Sequence, residues 1–454
     1  MARTLEADYL VVGVGAMGMA FTDALVDHAD ARVALVDRRH GVGGHWLEAY
    51  PFVRLHQASA FYGVASTLLG GGQLQQHGPE AGLQERATRT EICRYYEQVL
   101  ARLLETGRVE LITSSEYADG AVVSRVSGRR TEVPGGCRVV DARYLAPSIP
   151  AETPPPFEVL DGVRVVPVNA LPRLEDVPDE LVVVGAGKTA TDACIWLLAQ
   201  GVDPDRITWV RAREPWMFNR AVIQPDPAIF LGMVADLMES ARVAESLDDL
   251  FLRLEDHGIM LRIDRSRVPT MAKAPTLATW ELEQLRTVEN VVRHGHLVAV
   301  APGELRFADA TVAVDRDAVV VHCAADGLKY PPLVPIWGPR EITLQPIRAG
   351  FPCFGAALAG YVEATRDDDA EKNRLCPPTP YGDSLAAWVR MTVLGTRAAA
   401  SATSAPDVKA WANDVPLNPT RIPAGYPASP ALDDARERIA THTVPAIERL
   451  LQLA

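Results

Sequence analysis

Two stretches of the chain share one pattern of apolar and polar positions. Tyr9-Leu10-Val11-Val12 is a short unbroken apolar run, followed at once by Gly13-Val14-Gly15-Ala16-Met17-Gly18. Residues 19 to 28 carry apolar side chains at helical spacing, and Arg32-Val33-Ala34-Leu35-Val36 is a second apolar run ending at Asp37. Continuous apolar runs this short suit strands of a parallel sheet buried on both faces. The pattern therefore predicts strand, glycine turn, helix, strand. It returns at Leu181-Val182-Val183-Val184, with Gly185-Ala186-Gly187-Lys188-Thr189-Ala190 as the turn and residues 191 to 200 as the helix. Ile207-Thr208-Trp209-Val210 is the next strand of this second copy, with Arg211 at its end.

Between the copies, Gly135-Gly136 precedes the strand-like Cys137-Arg138-Val139-Val140-Asp141. Pro147-Ser148-Ile149-Pro150 and Pro154-Pro155-Pro156 then form a stiff segment that cannot be helix and suits a domain crossing. The pattern is helical from Asn219 to about Asp256, strand-like at 312–314 and 318–322, and mostly helical from Ser384, with proline-rich breaks. The fold class expected is α/β, with two doubly wound (Rossmann-like) sheets. A length of 454 residues agrees, since one hydrophobic core seldom serves so long a chain.

Composition narrows the function. With 48% hydrophobic and 23% charged residues the chain is neither disordered nor fibrous. A formal charge of −13 repels phosphate backbones and anionic lipid, and no basic patch offsets it, so neither nucleic acid nor membrane is an expected partner. Six scattered cysteines without a CxxC argue against a disulfide framework, a metal site or a dithiol redox pair. The N-terminus has no apolar leader and no stretch is long enough to span a bilayer, so the expected location is cytoplasmic. Oligomeric state is not legible.

The chemistry lies in the glycine turns. Gly13 permits the tight turn, Gly15 lets a pyrophosphate approach the backbone, and Gly18 lets the helix pack on the strand, so that helix amides meet the phosphates. Asp37, at the end of the second strand, is placed to accept hydrogen bonds from ribose hydroxyls. In the second turn Gly185 and Gly187 take the first two roles, and Ala190 replaces the third glycine, a permitted variant. A P-loop is excluded because Val182 stands where its first glycine must be. The second unit's strand ends in Arg211 and Arg213 rather than an acid, which suits a ribose 2′-phosphate and favours NADPH over NADH. A solvated surface turn is the competing reading of these arginines.

Gly43-Gly44-His45-Trp46, then Tyr50-Pro51 and Arg54-Leu55-His56-Gln57-Ala58-Ser59-Ala60-Phe61-Tyr62, resembles the GGxW…YP…PSxxY region of flavin-containing and related class B flavoprotein monooxygenases. The resemblance is densest in the first 65 residues, runs to about 220 and resumes near 318. It implies FAD in the first unit and NADPH in a second unit inserted into it. It also places Gly44 and Trp46 beside the flavin, and His56 and Gln57 near its reactive edge. Ordinary core packing is the alternative for Trp46, and a structural histidine for His56.

The chain departs from the family elsewhere. The FxGxxxH motif before the second unit becomes Phe157 to Gly162 and then Pro167 to Pro172, and Asn169 stands where a histidine is usual. The strand-end ATG becomes Ala324-Ala325-Asp326-Gly327. Gln345-Pro346 is expected to return a strand end towards the flavin, and the helix-like run 355–364 to aim its N-terminus at the ring.

The expected domains are 1–152 and 321–454, which together bind FAD, and 153–320, which binds NAD(P) and carries a helical insert. The expected activity is a monooxygenase that uses FAD, NADPH and O₂ to oxygenate a small organic substrate through a C4a-(hydro)peroxyflavin. Gln57, His56 and Asn169 are the catalytic candidates, and the chemistry belongs mainly to the cofactor. The alternatives are an FAD-dependent NAD(P)H dehydrogenase or oxidase without oxygen transfer, and a non-catalytic nucleotide-binding protein.

Overall fold

The computed structural model describes residues 3–176, 178–325 and 327–454. Asp326, in the altered strand-end motif, lies outside them. The first glycine unit forms β1 (Tyr9–Val12), α1 (Ala16–His28) and β2 (Val33–Val36). Next come α2 (Arg89–Glu105), which starts at a capping box of Thr88 and Glu91, then β3 (Val109–Ile112) and β4 (Arg138–Asp141). The second unit follows as β5 (Arg164–Pro167), β6 (Leu181–Val184), α3 (Lys188–Ala199) and β7 (Ile207–Val210).

After it come β8 (Pro215–Asn219), α4 (Pro227–Val243), α5 (Leu247–Asp256) and β9 (Met271–Leu277). These are followed by α6 (Thr279–Leu285), β10 (Val291–Val292), β11 (Val319–His322) and β12 (Glu341–Thr343). The tail contains α7 (Pro352–Thr365), α8 (Leu385–Thr403) and α9 (Pro430–Leu453).

Two five-stranded sheets result, each wholly parallel. The first has the order β12-β4-β1-β2-β3 and the second β5-β11-β6-β7-β10. Every strand of the second lies, in sequence, between β4 and β12 of the first. In both sheets the glycine-turn strand has its unit's next strand on one side and a late-arriving strand on the other. The crevice at such a reversal, outside the carboxyl ends, is where open α/β sheets bind ligands.

α7 of the tail packs on the first unit. α7 lies against α1 so closely that a Cβ on Gly360 would fall 2.4 Å from the Phe21 carbonyl oxygen. On the other side of α1, a Cβ on Gly18 would fall 2.0 Å from the carbonyl oxygen of Gly13, so this glycine serves helix-to-strand packing. At the other end of the chain α9 packs on α4, and Arg438 bonds both Asp236 and Glu239 at 2.5 Å.

The α1–α7 approach sets a test. Gly360→Ala is expected to cost about 1–3 kcal/mol through overpacking. Gly232→Ala, inside α4 with nothing within 4 Å of the new methyl, should stabilise by roughly 0.5–1 kcal/mol through helix propensity. Urea unfolding measures both. A neutral Gly360→Ala would mean that the helices do not depend on that approach.

Candidate functional site

The carboxyl ends of both parallel sheets open onto one cavity of about 1570 Å³. Gly13, Gly15, Asp37 and the 44–46 segment line it from the first unit, and Gly185, Gly187, Lys188 and Arg213 from the second. The two first glycines are equivalent. Gly13 has φ +101°, and a Cβ there would crowd Arg143 and Ala142, just beyond β4. Gly185 has φ +147°, and a Cβ there would lie 3.1 Å from the Cys323 carbonyl oxygen, just beyond β11. Both turns thus pass tight against the neighbouring strand's end.

The second glycines differ in kind. Gly15 and Gly187 are the N-caps of α1 and α3 in extended conformations, which any residue adopts. A Cβ on Gly187 would meet nothing within 4 Å. Gly15 instead receives the second loop of its own unit: a Cβ on Gly44 would stand 2.9 Å from the Gly15 Cα. Asp37 ties the turn to the strand end, accepting from Val14 N at 2.7 Å and Arg39 N at 2.8 Å. A carboxylate has capacity for further donors, and Asp37 lines the cavity.

The aromatic wall is held by side-chain bonds. Trp46 is buried and its Nε1 donates to the Tyr62 hydroxyl at 2.6 Å, with the rings edge to face. The backbone carrying His56 and Gln57 is fixed from the insert. Arg220, with no exposed surface, donates from Nε to the His56 carbonyl at 2.9 Å, and the Thr276 hydroxyl bonds the same oxygen. The Arg220 guanidinium also bonds Glu80 at 2.5 Å and Glu281 at 2.7 Å. Arg86 bonds Glu80 at 2.6 Å, and Lys188, paired with Asp192, lies 3.8 Å from Glu281. Tyr50 closes the network, donating to Asp192 at 2.7 Å across the two units.

This network sets local protonation. Burial favours a neutral Glu80, but Arg220 and Arg86 outweigh it and hold the carboxyl at about 2. The same cations act on His56 in the opposite sense. Burial first, then Lys188, Arg220 and Arg86, push its imidazole down to about 3. His56 is therefore neutral near pH 7, and its buried Nδ1 has no partner among the described residues. Burial, with Arg39, likewise lowers neighbouring His45 to about 4.

Of the thirteen residues singled out from sequence, only Gly18 and Arg211 stand off the cavity. Arg211 corrects the reading of that strand end: its side chain is buried, stacked 4.5 Å over Trp209 and paired to Glu214 at 3.1 Å. A carboxylate three residues on captures it, which leaves Arg213 to line the cavity, paired with Asp383. Asn169 lines the cavity too, but its amide donates to the Glu48 carbonyl at 2.8 Å and so pins the 44–48 turn. Gln345 does not reach the cavity, being tied to the backbone of Val334 by two hydrogen bonds. Pro352, at the start of α7, does line it. In the insert, Trp216, Met217, Phe230, Met233, Met238 and Phe251 are core, whereas Met271 lines the cavity.

Sequence reasoning passed over Lys188 as a charge, its partners Asp192 and Glu281, Arg220, and the Lys273 and Trp388 walls. Only the Lys188–Asp192 spacing, four apart on a helix, was a local signal. The described lining holds eight Lys and Arg against six Asp and Glu, a positive cavity in a chain of charge −13. Among the described residues no helix is long and apolar enough to cross a membrane, and no cluster of metal-ligating side chains occurs.

Fold and site define an α/β protein with two dinucleotide-type turns facing one cavity. The chain is 41% identical over 421 residues to uncharacterized protein Rv2000 of Mycobacterium tuberculosis, covering 92% of this chain and 78% of that one. It has the same identity and coverage with an uncharacterized protein of Mycobacterium bovis. It belongs to the family of these mycobacterial proteins. No family model matches it. Among solved structures, cyclohexanone monooxygenase from Rhodococcus sp. Phi1 bound to NADP+ is similar at a TM-score of 0.47 and 13% identity, covering 98% of both chains. A flavin monooxygenase from Stenotrophomonas maltophilia gives a TM-score of 0.41 at 14% identity, covering 75% of this chain and 85% of that one.

Two outcomes follow from the buried charges. Between pH 7 and 5 the unfolded chain takes a proton at His56 that the folded chain refuses, so stability falls as pH drops below the ordinary histidine value. The His56 share of that loss is roughly 1–2 kcal/mol at pH 5. Unfolding of wild type and His56→Gln at both pH values measures it, and identical pH slopes would show that the imidazole protonates freely. Arg220→Met leaves Glu80 and Glu281 short of a counter-charge and should cost about 3–5 kcal/mol. A loss below about 1 kcal/mol would mean that water reaches the cluster.

Proposed function

We propose that this protein is an FAD-dependent, NADPH-using oxidoreductase that oxygenates a small organic substrate with O₂. One observation carries the reading: two glycine turns, each at the strand-order reversal of its own parallel sheet, face one positively lined cavity. In this reading segments 1–152 and 321–454 hold FAD and segment 153–320 holds NADPH.

The residues fit such groups. Gly187 has neither a backbone conformation nor a protein neighbour that requires glycine, so the space its missing side chain leaves is available to a ligand. That space lies at the N-terminus of α3, where free amides and the helix dipole favour a phosphate. α1 presents the same arrangement at Gly15. Asp37 accepts ribose hydroxyls with its remaining lone pairs. Arg213, which lines the cavity, rather than the buried Arg211, receives the 2′-phosphate. Gln57 offers an amide to the reacting edge, Trp46 a flat apolar wall, and His56 a neutral imidazole that adds no charge.

When bound, the two cofactors supply hydride transfer and oxygen activation. The chain positions them, keeps water out and holds the backbone of His56 and Gln57 rigid through Arg220. Asn169, spent on the Glu48 carbonyl, favours a second reading, an NAD(P)H dehydrogenase or oxidase that transfers no oxygen.

The test is reconstitution with FAD, anaerobic NADPH addition, then air, followed by visible absorbance. Wild type should bind flavin and bleach with NADPH. Gly15→Val should lose flavin, and Gly187→Val should keep flavin but resist NADPH, both with unchanged circular dichroism. Failure of the wild type to bind FAD overturns the reading. Bleaching with every NADPH recovered as hydrogen peroxide, across a substrate panel, selects the second one.

A further inference from the structure

In a dinucleotide unit the residue after the second strand sets the cofactor. An acid there accepts the ribose hydroxyls of NADH, and an arginine takes the 2′-phosphate of NADPH. After β7 the local chain supplies Arg213 to the cavity and no acid, because Glu214 is paired with Arg211 and Arg293 and does not line it.

The acid comes from elsewhere in the fold. Asp383, 170 positions further on, lines the cavity and bonds the Arg213 guanidinium. Its backbone is held from two directions. The Asp383 carbonyl accepts from Ala272 N of β9 at 3.0 Å, and the next residue, Ser384, pairs with Met271 and caps α8. The carboxylate therefore stays within a rotamer's reach of Arg213. Both side chains keep open surface, 42% for Arg213 and 28% for Asp383, so a ligand can meet either.

Lys273 of β9 is the third charge at this strand end, and both Asp383 and Arg213 act on it. Two cations and one carboxylate leave a surplus of a single positive charge. A phosphate monoester brings a charge of about −1.5 to −2 at pH 7, more than that surplus neutralises.

We propose that Asp383 is a specificity-determining residue of the second site: it accepts the adenosine ribose hydroxyls of NADH, opposes the 2′-phosphate of NADPH, and so opens the site to both cofactors. The proposal rests on the reading of the second unit as a nicotinamide-dinucleotide site. Arg213 has donors enough to hold the phosphate and Asp383 together, so NADPH is admitted with its advantage reduced. Asp383 meets the adenosine end and takes no part in the chemistry.

Isothermal titration calorimetry of the FAD-reconstituted protein with NADP+ and NAD+, which differ only in the 2′-phosphate, tests it. Wild type should bind both. Asp383→Asn keeps the shape and removes the charge, and should shift the affinity ratio towards NADP+ by about tenfold. Arg213→Gln should shift it towards NAD+. A merely structural role at this junction would weaken both nucleotides together and leave the ratio unmoved. Gly187→Val should abolish both heats, which assigns them to the second turn.

An unchanged ratio in Asp383→Asn, or a wild type that binds NADP+ but not NAD+, overturns the proposal and leaves the dinucleotide reading standing. A wild type that binds neither nucleotide, or a Gly187→Val that keeps either heat, overturns that reading and the proposal with it. Calorimetry needs no flavin, so the same titrations judge the second site even where FAD fails to bind.

Discussion

A single buried guanidinium holds the site together. Arg220 follows β8, yet it reaches the His56 carbonyl of the first unit, Glu80 of the long 63–87 segment and Glu281 of α6. Through Glu281 the charges continue to Lys188 at the N-terminus of α3, and through Asp192 to Tyr50. Three cations and three carboxylates balance there, which is the condition under which buried ions are tolerable. The geometry of 56–57 and the placement of the second glycine turn are thus consequences of one network. An apolar interface of equal area would bind the units together without fixing their register so narrowly.

The glycines divide by what they avoid. Gly18 and Gly360 avoid carbonyl oxygens of α1 and its turn, and Gly13 and Gly185 avoid the ends of adjacent strands. These four are explained within the protein. Gly187 avoids nothing that the chain supplies, and it borders the cavity. A position that is glycine without internal cause, at a helix N-terminus facing a cavity, supports the proposed phosphate site. The same reasoning makes Gly44 double in role, since it both crowds Gly15 and lines the cavity.

What the sequence disclosed follows from the range of the forces involved. Both glycine units were legible because strand, turn and helix are local, and parallel burial on two faces leaves an unbroken apolar run. The helices after Asn219 and after Ser384 were legible for the same reason. Arg211 was misassigned because its capture depends on Glu214 lying near and on Trp209 offering a ring, neither of which a strand-end rule considers. Asn169 lines the cavity, but its bond to the Glu48 carbonyl was not legible because it spans 121 residues. The Arg220 network was invisible: its members are separated by 140 and 61 positions, and no periodicity relates them.

Charge gives the last step. The chain is strongly acidic overall, while the described cavity lining carries eight Lys and Arg against six Asp and Glu, among them Lys188 at the N-terminus of α3. Within a concave site the helix dipoles and these cations are less screened than at the open surface. That lining favours anionic groups over cations. His56 stays uncharged within it chiefly because it is buried, with Lys188, Arg220 and Arg86 adding to that effect. On β9 burial lowers the pKa of Lys273, beside Asp383 and Arg213, whereas the Arg220 cluster, which bonds Thr276 of the same strand, pairs its charges.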